Sequence, residues 1–167
     1  MSQSPIATKA IKFIELAKQL HAEREVDTSL YEAKVRTSIG RLYYGVFNLL
    51  KDRFLNCGKF RSKDKASLQE DDAHYTLKNC ISNTEPTMRT HIDKLRILRN
   101  LCDYDLEVDV AKELTIKTNS GYSISYDDIE YAYADAIASA ITLISTYTNH
   151  RKYFDNRGYG MINISPK

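Results

Sequence analysis

The chain has 167 residues, a net charge of +2, 28% charged and 43% hydrophobic residues. It is long enough for one domain with a real core and too apolar for disorder of the whole chain. The global field is weak, so any nucleic-acid footprint must be a local basic patch.

Three cysteines (Cys57, Cys80, Cys102) have no metal-ligand spacing. An odd count without a CxxC pair favours reduced thiols in a cytosolic protein. The start, Met1-Ser2-Gln3-Ser4-Pro5, has no apolar run after a basic segment, so no signal peptide is expected. No stretch approaches the roughly 20 apolar residues of a membrane helix. Six glycines and three prolines imply long uninterrupted elements, and there is no repeat.

Ser4-Pro5 is an N-cap followed by proline at the first helical position, predicting a helix to about Arg24. Its apolar stripe is Ile6, Ile11, Ile14, Ala17 and Leu20, with Phe13 beside it. Asp27-Thr28-Ser29 offers caps to a second, longest helix over about Ser29 to Leu55. Val35, Ile39, Leu42, Tyr43, Val46, Leu49, Leu50 and Phe54 give it a wide apolar face, with Arg36, Arg41, Lys51 and Arg53 off its centre. Gly40 and Gly45 lie inside this helix. Each costs about 1 kcal/mol against alanine, which points to close approach of another helix.

Gly58 reads as a C-cap, and Lys59-Phe60-Arg61-Ser62-Lys63-Asp64-Lys65 is the most basic short window. A third helix is expected over about Asp71 to Ile81. Ser82-Asn83-Thr84 would cap a fourth, which has Pro86 in its first turn and runs to about Leu101. From Asp103 the pattern alternates. Asp103, Asp105, Glu107 and Asp109 are acidic, and Tyr104, Leu106, Val108 and Val110 are apolar, the period of an extended segment. Residues 113–118 and 122–125 alternate again around Asn119-Ser120-Gly121, predicting a β-hairpin. Ser125 would head the C-terminal helix, with Asp127 and Asp128 in its first turn. Its stripe is Ile129, Ala132, Ala136, Ile137, Ala140, Ile141, Ile144 and Tyr147. The expected fold is all-α: an antiparallel bundle of four to five helices with a small β-hairpin before the last. The domain covers residues 1–151 and the tail residues 152–167.

No phosphate-binding glycine loop, zinc-protease or nucleophile-elbow motif is present. The histidines (His21, His74, His91, His150) are scattered, each reading as an ordinary surface or partly buried residue. No metal and no cofactor is expected. The acidic run lacks the glycine and the glutamate of a calcium loop, with Val108 and Leu114 at those positions. The basic window with Phe60 is either a solvated loop or a contact for single-stranded nucleic acid. Arg99 is either one half of a structural ion pair with Asp103 or a site residue.

Two segments bear on that choice. Arg36-Thr37-Ser38-Ile39-Gly40-Arg41-Leu42-Tyr43-Tyr44-Gly45-Val46-Phe47 resembles the second-helix motif of HEPN domains. Leu98-Arg99-Asn100-Leu101-Cys102-Asp103-Tyr104-Asp105 resembles that family's Arg-Asn-x-x-Asp-Tyr-Asp segment. The resemblance covers about Ile6 to Arg151 and implies a helical, usually homodimeric domain. Many such proteins are metal-independent endoribonucleases with an Arg-x4-6-His motif at the dimer interface, acting as toxins, in anti-phage defence or in RNA processing. Others bind nucleic acid or nucleotide without cutting, and some pair with a nucleotidyltransferase antitoxin. The resemblance makes Arg99, Asn100, Asp103 and Tyr104 the candidate catalytic group and adds Arg41 to Lys59, Arg61 and Lys63 as candidate RNA contacts. Here Tyr104 stands five residues after Arg99, where active members carry histidine. Histidine titrates near ~6.5 and tyrosine near ~10, so the change removes a ready base at neutral pH. Three functions follow: an RNA- or nucleotide-binding protein of a prokaryotic defence or toxin–antitoxin module with weak or absent catalysis; an active ribonuclease with a composite dimer site; or a helical module that docks a partner protein.

Overall fold

The computed structural model describes residues 4–57, 62–105, 107–109, 112–118 and 121–149. Helix α1 (Pro5–Ala22) starts as its cap chemistry predicts. The Ser4 side chain accepts from the Ala7 N–H, and proline fills the first position. The Ser4 hydroxyl also donates to Asp52 at 2.7 Å, so the cap fastens α1 to the end of α2 (Tyr31–Asn56). A 3-10 turn over Thr28–Leu30, capped by the Asp27 carboxylate, leads into α2. Then follow α3 (Ser62–Ser67), α4 (Ala73–Thr84), α5 (Met88–Tyr104), the strands β1 (Leu114–Lys117) and β2 (Ser123–Tyr126), and α6 (Ile129–Asn149).

Side-chain ties fix the directions. Lys34 donates to the Glu23 carbonyl and Ser4 meets Asp52, so α1 and α2 are antiparallel. Arg36 near the start of α2 meets carbonyls at the end of α5. Lys94 and Met88 of α5 meet Asp135 and Thr146 of α6, so those two are antiparallel as well. Helix α2 packs against α1, α4, α5 and α6 and forms the core with Val35, Ile39, Leu42, Val46, Leu49, Leu50 and Phe54, all fully buried. The protein is therefore an all-α bundle with an antiparallel hairpin before the last helix. No helix among the described residues is long and apolar enough to cross a membrane.

Several expectations shift. The buried face of α1 is Ala7, Ala10, Ile14 and Ala17, whereas Ile6 is 44% exposed. Small residues line it because α2 comes very close. A Cβ at Gly45 would lie 2.5 Å from Ile14 Cγ1 and 3.0 Å from the Ala10 carbonyl oxygen. Arg36 and Arg53, expected beside the apolar stripe of α2, are buried, each donating to main-chain carbonyls. Ser82, Asn83 and Thr84 finish α4 rather than capping α5, and Thr84 bonds back to the Cys80 carbonyl. Ser125 belongs to β2. The residue that caps α6 is Asp128, whose carboxylate accepts from the N–H groups of Glu130 and Tyr131.

The basic window is not a simple loop, because its end forms α3; Lys59 and Arg61 lie outside the described residues. The acidic alternating segment is the larger correction. Helix α5 continues through Asp103 and Tyr104, and 105, 107, 108 and 109 form no strand. The hairpin holds, pairing Leu114 with Tyr126 through Lys117 with Ser123. Gly121 turns it at φ 84, a left-handed conformation that glycine adopts without penalty. Asn119, Ser120 and the tail 152–167 lie outside the described residues.

Candidate functional site

Arg99 stands on the last two turns of α5, and four neighbours converge on it. Its Nη2 donates to the Tyr104 hydroxyl at 2.8 Å and to the Tyr44 hydroxyl of α2. Its Nη1 donates to Asn100 Oδ1 at 2.9 Å. The guanidinium carbon lies 4.9 Å from the Tyr44 ring centroid and 4.6 Å from that of Tyr104, so the cation sits between two aromatic faces. Asp103 Oδ2 is 2.8 Å from Nε, but the buried N–H points off that line. The contact is an ion pair without hydrogen-bond geometry. Burial opposes the charge on Arg99; the Tyr104 hydrogen bond and the negative potential of its neighbours outweigh it and hold the guanidinium more firmly charged than usual. The structure thus brings Arg99, Asn100, Asp103 and Tyr104 together as the i, i+1, i+4 and i+5 positions of one helix end.

Two features of α2 make this geometry possible. Gly40 leaves room for the Asp103 carboxylate: a Cβ there would lie 2.8 Å from Oδ1. Arg36 fastens the end of α5. Its Nη1 donates to the carbonyls of Leu101 (3.3 Å), Cys102 (3.4 Å) and Asp105 (3.0 Å), and its Nη2 to Val108 at 2.6 Å. These carbonyls belong to a helix terminus and the turn after it, where a cation is favoured. This clamp is why the helix reaches Tyr104 and why Arg99 and Asp103, four apart, share a face.

Next to Arg99 lie groups that the sequence did not single out as a site. Tyr44 packs against Tyr43, with centroids 5.5 Å apart, and the Tyr43 hydroxyl is 2.6 Å from His74 Nδ1 on α4. Phe47 lies 4.0 Å from the His74 ring, and Lys51 is over the Phe47 ring at 5.9 Å. Burial pushes the His74 pKa down, and the charges of Arg96, Arg99 and Lys51 push it down further, so the imidazole is neutral at pH 7. Burial likewise raises the Tyr43 phenol, which stays protonated. The result is a cluster of three cations and five rings from α2, α4 and α5, in which Tyr43 and Phe47 are buried. Tyr104 is its most open member, 69% exposed.

The other expected RNA contacts are placed elsewhere or less directly. Arg41 is one turn before Tyr44 on α2 and lies 5.5 Å over the Phe13 ring of α1. Lys63 is exposed on α3, lining a small groove with Tyr75, Thr76, Asn79 and Asn83, and no described contact joins it to Arg99. His21 and His91 are partly buried and bonded to Glu130 and Ser139; His150 is outside the described residues. The Tyr43-Tyr44 pair was visible as part of a motif. Nothing in the spacing of His74, 30 residues further on, could have placed it against them.

A separate groove of about 660 Å³ runs between α1 and α6. Its polar floor is Glu130, which accepts from Arg24 at 2.8 Å and Tyr31 at 2.6 Å and pairs with His21 at 2.7 Å. These bonds saturate the carboxylate and pin the two helix ends together.

No family model matches the chain, and no solved structure matches it. It is similar to an archaeal protein from Methanocaldococcus jannaschii, the uncharacterized protein MJ0992, with 29% identity over 114 residues. The match covers 60% of this chain and spans about three fifths (62%) of that relative's length.

Proposed function

We propose that this chain is a HEPN-type protein that binds single-stranded RNA at the surface around Arg99, with weak or absent cleavage. The observation that carries this is the seating of Arg99 between the Tyr44 and Tyr104 rings, in a cluster where the charges of Arg99, Arg96 and Lys51 all act on His74. Cations that meet phosphates, next to rings that stack on bases, are the usual equipment for holding a single strand. Weak cleavage follows from the site's own chemistry: Tyr104, in the position of the family's histidine, accepts a hydrogen bond from Arg99, and Arg99 is already matched by Asp103. On this reading the protein works in the cytoplasm as a homodimer, within a defence or toxin–antitoxin module that includes a nucleotidyltransferase antitoxin or another defence protein.

The test is binding of a labelled single-stranded RNA, in chelator and at two salt concentrations. Retention without cleavage, weakened by salt and by about tenfold or more in Arg99→Ala, is the expected result. Cleavage that disappears in Arg99→Ala would make the protein a metal-independent endoribonuclease instead. Neither binding nor cleavage would leave a module that docks a protein partner.

A further inference from the structure

The His74 corner of this surface has a charge balance of its own. Asp103 offsets Arg99, whereas Lys51 and Arg96 have no carboxylate partner among the described residues. Among the described residues, two cations without a paired carboxylate therefore act on a neutral imidazole. The groups whose charge acts on His74 are Lys51 from α2 and Arg96 and Arg99 from α5; Tyr43 of α2 holds its Nδ1. Asp93 acts on Tyr43 and is itself held by Lys78 at 3.3 Å and Arg89 at 3.7 Å. On α4 itself His74 is in the first turn, whose N-cap residue Asp72 makes no side-chain cap. His74 Nε2 has no hydrogen-bond partner among the described residues.

We propose that Lys51, Arg96 and His74, with Arg99 at the edge, form a site for a phosphate monoester, and that His74 takes up a proton when the dianion enters. Two excess positive charges match a doubly charged monoester better than the single charge of an internal phosphodiester. The anion also reverses the field on the imidazole. Burial remains the largest influence holding His74 neutral, but the cations that add to it become balanced, and a charged imidazole gains an opposite charge close by. With the Nδ1 hydrogen directed at the Tyr43 oxygen, Nε2 carries the free lone pair, and the proton comes from solvent and rests there. The partly exposed Tyr44 and the exposed Tyr104 rings are placed to stack on the attached base. The ligand is the 5′-phosphorylated end of an RNA strand or a free mononucleotide, which share this chemistry. The inference rests on this surface being the nucleic-acid contact and adds which phosphate it prefers.

The test compares three probes on the intact chain by titration calorimetry at pH 7: a 5′-phosphorylated RNA oligonucleotide, the same oligonucleotide with a 5′-hydroxyl, and adenosine monophosphate. Each is run in two buffers of different ionisation heat, which reports protons exchanged. The expected result is about tenfold tighter binding of the phosphorylated strand. Protons are taken up on binding in the wild type, and none in His74→Gln. The sign is diagnostic, because the phosphate itself, with a second pKa near ~6, can only release a proton on entering as the dianion. Tyr43→Phe should lower the uptake without removing the preference. Binding of the mononucleotide as well as the phosphorylated strand identifies the free nucleotide as a sufficient ligand; binding of the strand alone identifies the RNA end. Equal affinity for the two strands, or uptake unchanged in His74→Gln, overturns the inference while leaving RNA binding intact. Binding of the mononucleotide with neither strand bound supports the monoester site and overturns the RNA reading. No binding of any probe overturns both.

Discussion

Replacing Arg36 with methionine tests how the site is held. The side chain is buried, and its guanidinium donates to four main-chain carbonyls at the end of α5 and in the turn beyond. One nitrogen serves three of those oxygens at 3.0–3.4 Å, so the set amounts to about three effective bonds. Charged hydrogen bonds contribute about 1.5–3 kcal/mol each. Methionine also removes the cost of burying a charge, and the ion pair to half-exposed Glu32 adds little, so the net loss is about 3 kcal/mol. For a chain of this size that corresponds to a fall in Tm of roughly 6–12 °C. Thermal unfolding by circular dichroism measures the global effect. Amide exchange should show the loss concentrated at residues 101–108, with Asp103 and Tyr104 no longer held against Arg99. A Tm within about 2 °C of wild type, or protection at 101–105 unchanged, would refute the clamp.

Alanine at the two helical glycines should behave oppositely. Gly45→Ala drives a methyl into the backbone of α1, and the clash outweighs the helix-propensity gain, for a net loss of about 2 kcal/mol by chemical denaturation. Gly40→Ala meets only a carboxylate that can swing, so stability should change by less than about 1 kcal/mol. The Asp103–Arg99 pair should loosen in that variant, visible as a shifted Arg99 side-chain NMR signal; equal losses at both glycines would contradict the packing described. Stability should also fall as pH drops below about 6.5. His21, His74 and His91 all have folded pKa values below the ordinary one, with burial the largest cause in each case. The unfolded chain then binds protons first, so stability is complete above the ordinary histidine value and declines as pH falls towards the depressed ones. Asp27 and Glu130, also depressed, add a loss only below their ordinary values near 4. A Tm flat from pH 7.5 to 5.5, or unchanged in its slope by His91→Gln, would contradict this.

Most of the bundle was legible because long apolar stripes, Ser4-Pro5 and the turn at Gly121 act locally. Three things were not legible. Small-residue packing moved the buried face of α1 onto Ala7 and Ala10, because the decisive partner, Gly45, lies on another helix. The end of α5 depends on a cation from 65 residues away, so residues 103–109 read as a strand when taken alone. His74 joins the site through Tyr43, a contact without a sequence period. Arg99, Asn100, Asp103 and Tyr104 could be found because all four sit within six residues of one helix.

The salt dependence of RNA binding tests the central claim most directly. Three phosphate contacts on a single strand predict a slope of log K against log salt of about −2, and Lys51→Gln with Arg96→Gln should reduce it to about −0.7. A slope unchanged by the two substitutions, with RNA still bound, would show that the strand lies elsewhere and contradict the account.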